Sequence, residues 1–184
     1  MVLFDASMLS LLLHPGAKTV TDPKGKPITD AQSRVEYLVD GLDKGKTKIL
    51  IPTPALAEFL VLVGPAGPQY LEKINDRTCF KIVGFGERAA VEVAIQLRKA
   101  LNLGNKKSGS TGTWAKVKFD RQIVAIAKVE GVTIIYSDDE DVARFAKVEN
   151  IDVRGIKDLP LPPVEAQQKL KLDEQTTITS NVKS

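Results

Sequence analysis

The sequence predicts an α/β fold with a parallel sheet. Two observations indicate this class: short apolar runs of strand length recur along the chain, and helical patterns lie between them. A chain of 184 residues with 43% hydrophobic content is long enough for one ordinary core. We therefore expect one domain over residues 1–159, followed by a polar C-terminal tail over residues 160–184.

The first quarter of the chain predicts two strands and two helices. Residues 1–4 form a short apolar strand, and the apolar residues 6–13 predict a buried helix. Residues 14–28 contain three prolines and two glycines, which indicates a loop. An amphipathic pattern predicts a helix over residues 30–44, and residues 48–51 are the second strand.

The middle of the chain repeats this alternation. Pro54 starts a helix that the Gly-Pro-Ala-Gly-Pro sequence at 64–68 ends. A short helix over 69–75 and a strand over 79–83 follow. Residues 87–103 are the longest helical pattern. Its apolar stripe consists of Ala90, Val91, Ala94, Leu97 and Leu101.

The last third begins with a polar, glycine-rich loop over residues 104–118, which contains the only tryptophan. A helix over 120–130 and a strand over 132–136 come next. A helix over 140–149 and a strand near 152–156 complete the pattern, and this regular alternation predicts a parallel sheet.

Composition excludes several classes of protein. No apolar run approaches the roughly 18 residues of a membrane span, and the N-terminus lacks the basic segment of a secretory signal, so we expect a cytoplasmic protein. The single cysteine excludes an internal disulfide and multi-cysteine zinc sites. The chain has one histidine, His14, and this count excludes ribonuclease chemistry that needs two histidines within one chain. The formal charge of +3 permits a polyanionic partner but does not predict one.

Acidic residues are expected to meet at one edge of the sheet, because ligands of open α/β sheets bind outside the carboxyl ends of the strands. Asp5 ends the first strand, and Glu58 lies in the second turn of the helix after the second strand. Asp120 begins a helix whose N-terminus returns to this edge. Asp138 and Asp139 directly follow a later strand.

Each of these acids also has a structural interpretation. Glu58 lies among apolar residues 55–63, which predict a buried helix, and an ionised carboxylate there is costly unless it is paired or binds a cation. The alternative for Glu58 is a salt bridge. For Asp5 and Asp120 the alternative is helix capping, and for residues 137–141 it is a solvated acidic turn.

Taken together, the acids predict a metal site. Carboxylates gathered at one place repel one another unless a cation compensates. Mg²⁺ or Mn²⁺ is the natural partner, since both take oxygen ligands. Such a centre activates a water and stabilises charge on a phosphoryl group, so phosphodiester hydrolysis fits without any histidine.

Three segments resemble the PIN-domain family. They are Leu3-Phe4-Asp5-Ala6-Ser7, the Pro-Ala-Leu-Ala-Glu helix that ends in Glu58, and the stretch from Asp120 to Asp141. The last is the most specific, with an Asp, an alanine-rich helix, a glycine, a strand and then Ser-x-Asp. The match in order and spacing covers about residues 1–156.

This resemblance implies a three-layer α/β/α sandwich with a central parallel sheet. It also implies a Mg²⁺- or Mn²⁺-dependent endoribonuclease, as in VapC-type toxins of bacterial type II toxin–antitoxin pairs. Carried over by position, Asp5, Glu58, Asp120 and Asp139 would be the catalytic acids and metal ligands. RNA, an antitoxin and a second copy of the chain are the partners to expect.

The identity of the last metal ligand stays open at this stage. In the Ser-x-Asp frame Asp139 aligns with the family acid, but the adjacent Asp138 is also a candidate ligand, and Asp141 could lie near the same rim. Ser7 and Ser137 would be supporting hydroxyls.

Lysines around the only tryptophan predict an RNA-binding surface next to Asp120. Lysines hold phosphates, and an aromatic ring stacks on an unpaired base. The alternative is a solvated loop with the tryptophan packed into the core. The predicted residues are Lys106, Lys107, Trp114, Lys116 and Lys118.

The chain is longer than a typical VapC-like toxin, because of the loop at 14–28, the insert at 104–118 and the tail. One alternative function is a catalytically silent PIN-like module that binds RNA or protein. Another is a phosphoacceptor domain with Asp5 as nucleophile. A haloacid-dehalogenase-like phosphatase of that class would normally have a second Asp where this chain has Ser7.

Overall fold

The computed structural model describes residues 1–14, 20–21 and 25–163. Of the predicted loop after His14, residues 20–21 and 25–28 are included, whereas the predicted tail lies outside the described residues from position 164 onwards. The boundary at residue 159 therefore stays a prediction.

Five parallel strands of the described chain form one sheet in the order β3-β2-β1-β4-β5. They are β1 (Val2–Phe4), β2 (Ile49–Pro52), β3 (Phe80–Val83), β4 (Ile134–Tyr136) and β5 (Asp152–Arg154). The chain adds β2 and β3 on one side of β1, and β4 and β5 on the other side. The strand order thus reverses at β1, and the crevice at its carboxyl end is where such sheets bind ligands.

Helices cover both faces of the sheet. In the described residues they are α1 (Ala6–Leu13), α2 (Ala31–Lys44), α3 (Thr53–Val63), α4 (Gly67–Asn75), α5 (Glu87–Asn102), α6 (Trp114–Val129) and α7 (Glu140–Val148). Two short 3₁₀ helices span Gly64–Ala66 and Ile156–Asp158. None of the helices in this part of the chain has the length and apolar character to cross a membrane.

The strand side chains alternate between two hydrophobic cores. Leu3 joins the core made with α5, α6 and α7, whereas Val2 and Phe4 join the core made with α1 to α4. Successive residues of a strand face opposite sides of the sheet, so helices on both faces bury the strands β1 and β2 completely. The three-layer α/β/α fold predicted from the sequence is confirmed.

Helix α6 begins earlier than the sequence predicted. Thr113 caps it, and the Thr113 hydroxyl accepts a hydrogen bond from the backbone N–H of Lys116 at 3.2 Å. The predicted loop therefore ends at Thr113, and the prediction that Asp120 begins a helix is wrong. Asp120 lies one turn after Lys116 on the same face of α6.

The predicted apolar stripe of α5 is also wrong. This helix buries Ala89, Gln96 and Ala100, while Val91 and Leu101 are 56% and 59% exposed. Because α5 packs on α6, small side chains on its inner face let the two helices lie close together. Counting apolar residues alone favoured the wrong face.

Two glycines test the backbone conformations of this fold. A Cβ added to Gly41, inside α2, would contact nothing within 4 Å. We expect Gly41→Ala to raise the free energy of unfolding by about 0.5–1 kcal/mol, because alanine loses less backbone entropy in a helix. Gly131 follows α6 with a φ of 70°, which alanine adopts only at a cost. Gly131→Ala should therefore lower the free energy of unfolding by about 1–2 kcal/mol. Urea unfolding of the two variants measures these changes, and changes of the same sign would contradict these conformations.

Candidate metal centre

Asp5 lies at the carboxyl end of the central strand and caps α1. Its Oδ1 accepts hydrogen bonds from the Ser7 N–H at 3.0 Å, the Ser7 hydroxyl at 2.6 Å and the Met8 N–H at 3.1 Å. Its Oδ2 accepts one from the Ser137 hydroxyl. Burial raises the pKa of the Asp5 carboxyl, although the hydrogen bonds from Ser137, Ser7 and Met8 oppose this. Both oxygens are engaged, so the side chain has a fixed position.

Ser137 connects Asp5 to the start of α7. Its hydroxyl donates to Asp5 and accepts a hydrogen bond from the Asp139 N–H at 3.0 Å. Asp139 in turn caps α7, because its Oδ1 accepts from the N–H groups of Asp141 at 2.8 Å and Val142 at 3.2 Å. The ends of β1 and β4 are thus joined by one chain of hydrogen bonds.

Three carboxylates surround the ammonium group of Lys116. Its Nζ lies 2.8 Å from an oxygen of Asp120, 2.8 Å from Asp139 and 3.5 Å from Asp141. Ligand oxygens of these three acids lie within 4.8 Å of one another. We call Asp120, Asp139 and Asp141 the acidic cluster. It brings α6 and the start of α7 together at the carboxyl edge of the sheet.

The acidic cluster carries excess negative charge. In the described part of the chain, Lys116 and Arg144 are the cations within 4.0 Å of its three carboxylates. Burial raises the pKa of Asp120 to about 6, against the effect of the Lys116 hydrogen bond and with the help of the Asp139 charge. Burial by itself would lower the pKa of Lys116, but hydrogen bonds to Asp120 and Asp139 raise it above the ordinary value.

Asp141 belongs to the acidic cluster, although the sequence placed it only near the rim. The Ser110 hydroxyl donates to its Oδ2, and Arg144 pairs with its Oδ1. These hydrogen bonds outweigh burial and hold the pKa of Asp141 below its ordinary value. A sequence signal for Asp141 did exist. Asp139 caps α7 and Asp141 lies in its first turn, so both acids lie at the same edge of the sheet.

Glu58 lies at the rim of this site and is exposed, so the prediction of its burial is wrong. Helix α3 buries only one face, and Val61 on the outer face is 83% exposed. Partial desolvation and the negative charges of Asp120 and Asp5 raise the pKa of Glu58. Its carboxylate is therefore within electrostatic reach of the other acids.

Asp138 points away from the acidic cluster. Its Oδ1 accepts a hydrogen bond from the Ile156 N–H at 2.9 Å, and a Cβ on Gly155 would lie 2.5 Å from this oxygen. Burial raises the pKa of Asp138 and the hydrogen bond from Ile156 opposes this rise. Of the two adjacent acids, the structure brings Asp139 to the cluster and leaves Asp138 at the turn after β5.

The predicted RNA-binding residues lie in different surroundings. Lys116 lies among the acids. The Lys106 Nζ lies 5.4 Å from the centroid of the Trp114 ring, which packs partly buried against the core. The Lys107 Nζ donates to the carbonyl of Gly112 at 2.9 Å, and Lys118 is exposed on α6. A common RNA surface therefore stays a prediction.

The acidic cluster fits a divalent cation such as Mg²⁺ or Mn²⁺. Both ions take carboxylate oxygens, and an ammonium group already lies between these three acids. Asp120, Asp139 and Asp141 would hold the ion. Asp5, joined to the cluster through Ser137, is the next acid along the edge of the sheet.

Solved structures share this fold. The crystal structure of VapBC2 from Rickettsia felis bound to a DNA fragment from their promoter is 16% identical, with a TM-score of 0.51, and the match covers 84% of this chain and 98% of that chain. The crystal structure of DNA-bound VapBC from Salmonella typhimurium is 12% identical, with a TM-score of 0.50, covering 84% and 97%. This likeness establishes the fold. No family model matches the chain, and the search of curated proteins finds no match.

Gly155→Ala tests the position of Asp138 in this fold. The added Cβ would displace the Asp138 carboxylate and break its hydrogen bond to Ile156. We expect the free energy of unfolding to fall by about 1–3 kcal/mol. Because both substitutions remove the same contact, Asp138→Ala combined with Gly155→Ala should cost less than the sum of the single variants. Strict additivity in urea unfolding would contradict this contact.

The pKa of Asp120 predicts a pH dependence of stability without divalent cations. The folded value of about 6, against an ordinary 3.8, means that folded protein keeps a proton that the unfolded chain releases. This proton contributes up to about 3 kcal/mol to the free energy of unfolding. The contribution is fully present below about pH 4 and is lost as the pH rises through about 6.

Asp120→Asn removes this titration and isolates it from the other acids. In EDTA, the free energy of unfolding of the variant minus that of wild type should increase between about pH 4 and pH 7, because only wild type loses the stability of the bound proton. Urea unfolding at several pH values measures this difference. A difference that does not change with pH would mean that Asp120 has an ordinary pKa.

Proposed function

We propose that this protein is a metal-dependent endoribonuclease that hydrolyses RNA phosphodiester bonds. The supporting observation is the convergence of Asp120, Asp139 and Asp141 on one point at the carboxyl edge of a parallel sheet. Their charge exceeds that of the cations within reach, which favours a further cation. An oxygen-rich site of this kind suits Mg²⁺ or Mn²⁺ and the chemistry of phosphate esters.

A divalent cation at this site would supply charge stabilisation for a phosphoryl group and a more acidic water. The residues of the chain have separate tasks. Asp5, held by Ser7 and Ser137, fixes the edge of the site at the end of β1. Glu58 is exposed and has a raised pKa, which suits a group that accepts a proton from an attacking water.

Lys116 has a second task in this proposal. Its side chain is 41% exposed, so the ammonium group can leave the carboxylates and contact a phosphate of the incoming RNA. A divalent cation would take over its place between the acids. Lys106, Lys107, Lys118 and Trp114 would then extend this contact along the strand, as the sequence predicted.

We further propose that the protein is the toxin of a type II toxin–antitoxin pair and binds a protein antitoxin. Two solved structures that share its fold are VapBC complexes. Exposed apolar side chains such as Val61 and Leu62 on α3 offer surface for an antitoxin or a second copy of the chain. A small open reading frame directly upstream of the gene would support this proposal.

Cleavage of labelled structured RNA by purified protein tests the nuclease. We expect cutting with Mn²⁺ or Mg²⁺ and none with EDTA, because the acids alone cannot neutralise a phosphate. Asp120→Asn and Asp139→Asn should lower the rate by at least about 100-fold, as the loss of a central electrostatic group does. Asp138→Asn is the matched control, since it makes the same charge change one residue away, and it should stay within about 10-fold of wild type.

The outcomes separate the proposals. Equal cutting by the cluster variants and wild type would assign the activity to a contaminant. Folded wild type that cuts nothing with either metal, but binds RNA or protein, would favour the catalytically silent module. Single-stranded DNA of the same sequence, cut at the same rate, would contradict the assignment to RNA.

A further inference from the structure

A cleft beside the acidic cluster lies between α5, the loop after it, α6 and α7. Its volume is about 430 Å³, which is within the size range of pockets for small molecules. The apolar part of its wall consists of Ala100, Leu103, Phe145 and Val148. The remaining wall is polar, and two of its side chains each have one buried atom without a hydrogen-bond partner.

Arg121 is the first of these side chains. It is 4% exposed, and its guanidinium group lies on the Phe145 ring, 4.5 Å from the centroid. Its Nη2 donates to the Ser108 hydroxyl at 2.7 Å, but its Nε–H has no partner. Among the described residues, no carboxylate lies within 4.0 Å of it, although the charge of Glu149 acts on it. A buried cation in this state calls for an anion or a hydrogen-bond acceptor.

Gln96 is the second, on the α5 side of the cleft. It is 5% exposed, and its Nε2 reaches Glu92 at 3.4 Å, whereas its Oε1 has no partner. Buried polar atoms without partners are rare in native proteins. Arg121 offers a buried donor and Gln96 a buried acceptor, and a ligand edge with an acceptor and a donor would satisfy both once these side chains turn toward the cleft.

The mouth of the cleft favours negative charge. Lys99 and Arg144 contribute to its wall. Glu149 also lines it, but the Lys128 Nζ lies 2.6 Å from Glu149 and reduces its effect. A nucleotide matches this arrangement, because a base edge carries donors and acceptors, its ring suits apolar walls, and its phosphate suits the two cations.

We propose that this cleft binds one nucleotide of the RNA strand, with the base edge against Arg121 and Gln96 and the phosphate near Lys99 and Arg144. The identity of the strand rests on the proposed nuclease function. RNA-binding proteins commonly bind single bases that are turned out of the strand in this way.

The structure links the cleft directly to the acidic cluster. Arg144 lines the cleft and pairs with Asp141 of the cluster. Ser108 and Ser110 are two residues apart in one loop, and they contact Arg121 and Asp141 respectively. A strand with one phosphate at the cluster can therefore place a neighbouring nucleotide in the cleft.

Binding without cleavage tests this proposal. In EDTA, the four nucleoside 5′-monophosphates are titrated into full-length protein, and ¹H–¹⁵N spectra follow the Arg121 Nε–H and the Gln96 side-chain amide. We expect both signals to shift with at least one nucleotide. Fluorescence anisotropy of a short labelled RNA in EDTA then measures strand affinity.

Two variants change the cleft in different ways. Gln96→Leu removes the free acceptor and keeps the volume, and Val148→Trp fills the mouth from a position that is 70% exposed, so folding is not at risk. Each should weaken nucleotide and RNA binding by about 10-fold or more, Gln96→Leu because one hydrogen bond is lost and Val148→Trp because the ring occupies the mouth of the cleft. Val91→Trp, on the outer face of α5, is the matched control and should bind like wild type.

The outcomes for the cleft and the nuclease are independent. No shift of either signal with any nucleotide would mean that water satisfies Arg121 and Gln96, and it would overturn the proposal. Nucleotide binding with unchanged RNA affinity in Val148→Trp would assign the cleft to free nucleotides and overturn its link to the strand. Weakened RNA binding in a protein that cuts nothing would support the cleft while the nuclease proposal fails.

Discussion

Repulsion among carboxylates is the constraint on which the rest of this site depends. Asp120, Asp139 and Asp141 come from two helices, and their oxygens lie within 4.8 Å of one another. At this separation like charges oppose folding unless a cation or hydrogen bonds compensate. Lys116 supplies the cation, and its position one turn before Asp120 on α6 ties the compensating charge to the acid that most needs it. Burial raises the pKa of Asp120 to about 6 and the Asp139 charge adds to this rise, so the Lys116 hydrogen bond offsets them only in part.

Hydrogen bonds at the ends of the strands transmit this arrangement to the fold. Asp5 and Asp139 each cap a helix and also face the edge of the sheet, so the alternatives of capping and metal binding are compatible. Ser137 fixes the distance between them because it donates to one and accepts from the other. The site therefore exists only when β1 and β4 are paired, and the topology of the sheet is a condition for its chemistry.

The sequence predicted the fold well, because strand and helix periodicities have short-range causes. It also predicted that Asp5 and Asp139 reach one edge, since the ends of parallel strands meet there. Asp120 reaches this edge too, but from the second turn of α6 and not from the start of a helix. It could not choose between Asp138 and Asp139, because that choice depends on the space left by Gly155 on a strand end that is distant in sequence. The start of α6 was missed for a local reason, because the polar composition of the loop hid the Thr113 cap. The buried faces of α3 and α5 were predicted wrongly, because they depend on which side of each helix packs against the sheet or a neighbouring helix.

Two serine contacts distinguish the loop after α5 from a passive connection. Its Ser108 and Ser110 bind residues of both the cleft and the acidic cluster, so the loop position depends on both. Arg144 divides its charge in the same way, since it pairs with Asp141 and lines the cleft. A ligand phosphate that attracts Arg144 would weaken its pairing with Asp141 and leave the cluster more negative. Greater negative charge strengthens the attraction for a divalent cation, so strand binding in the cleft and cation binding in the cluster should favour each other.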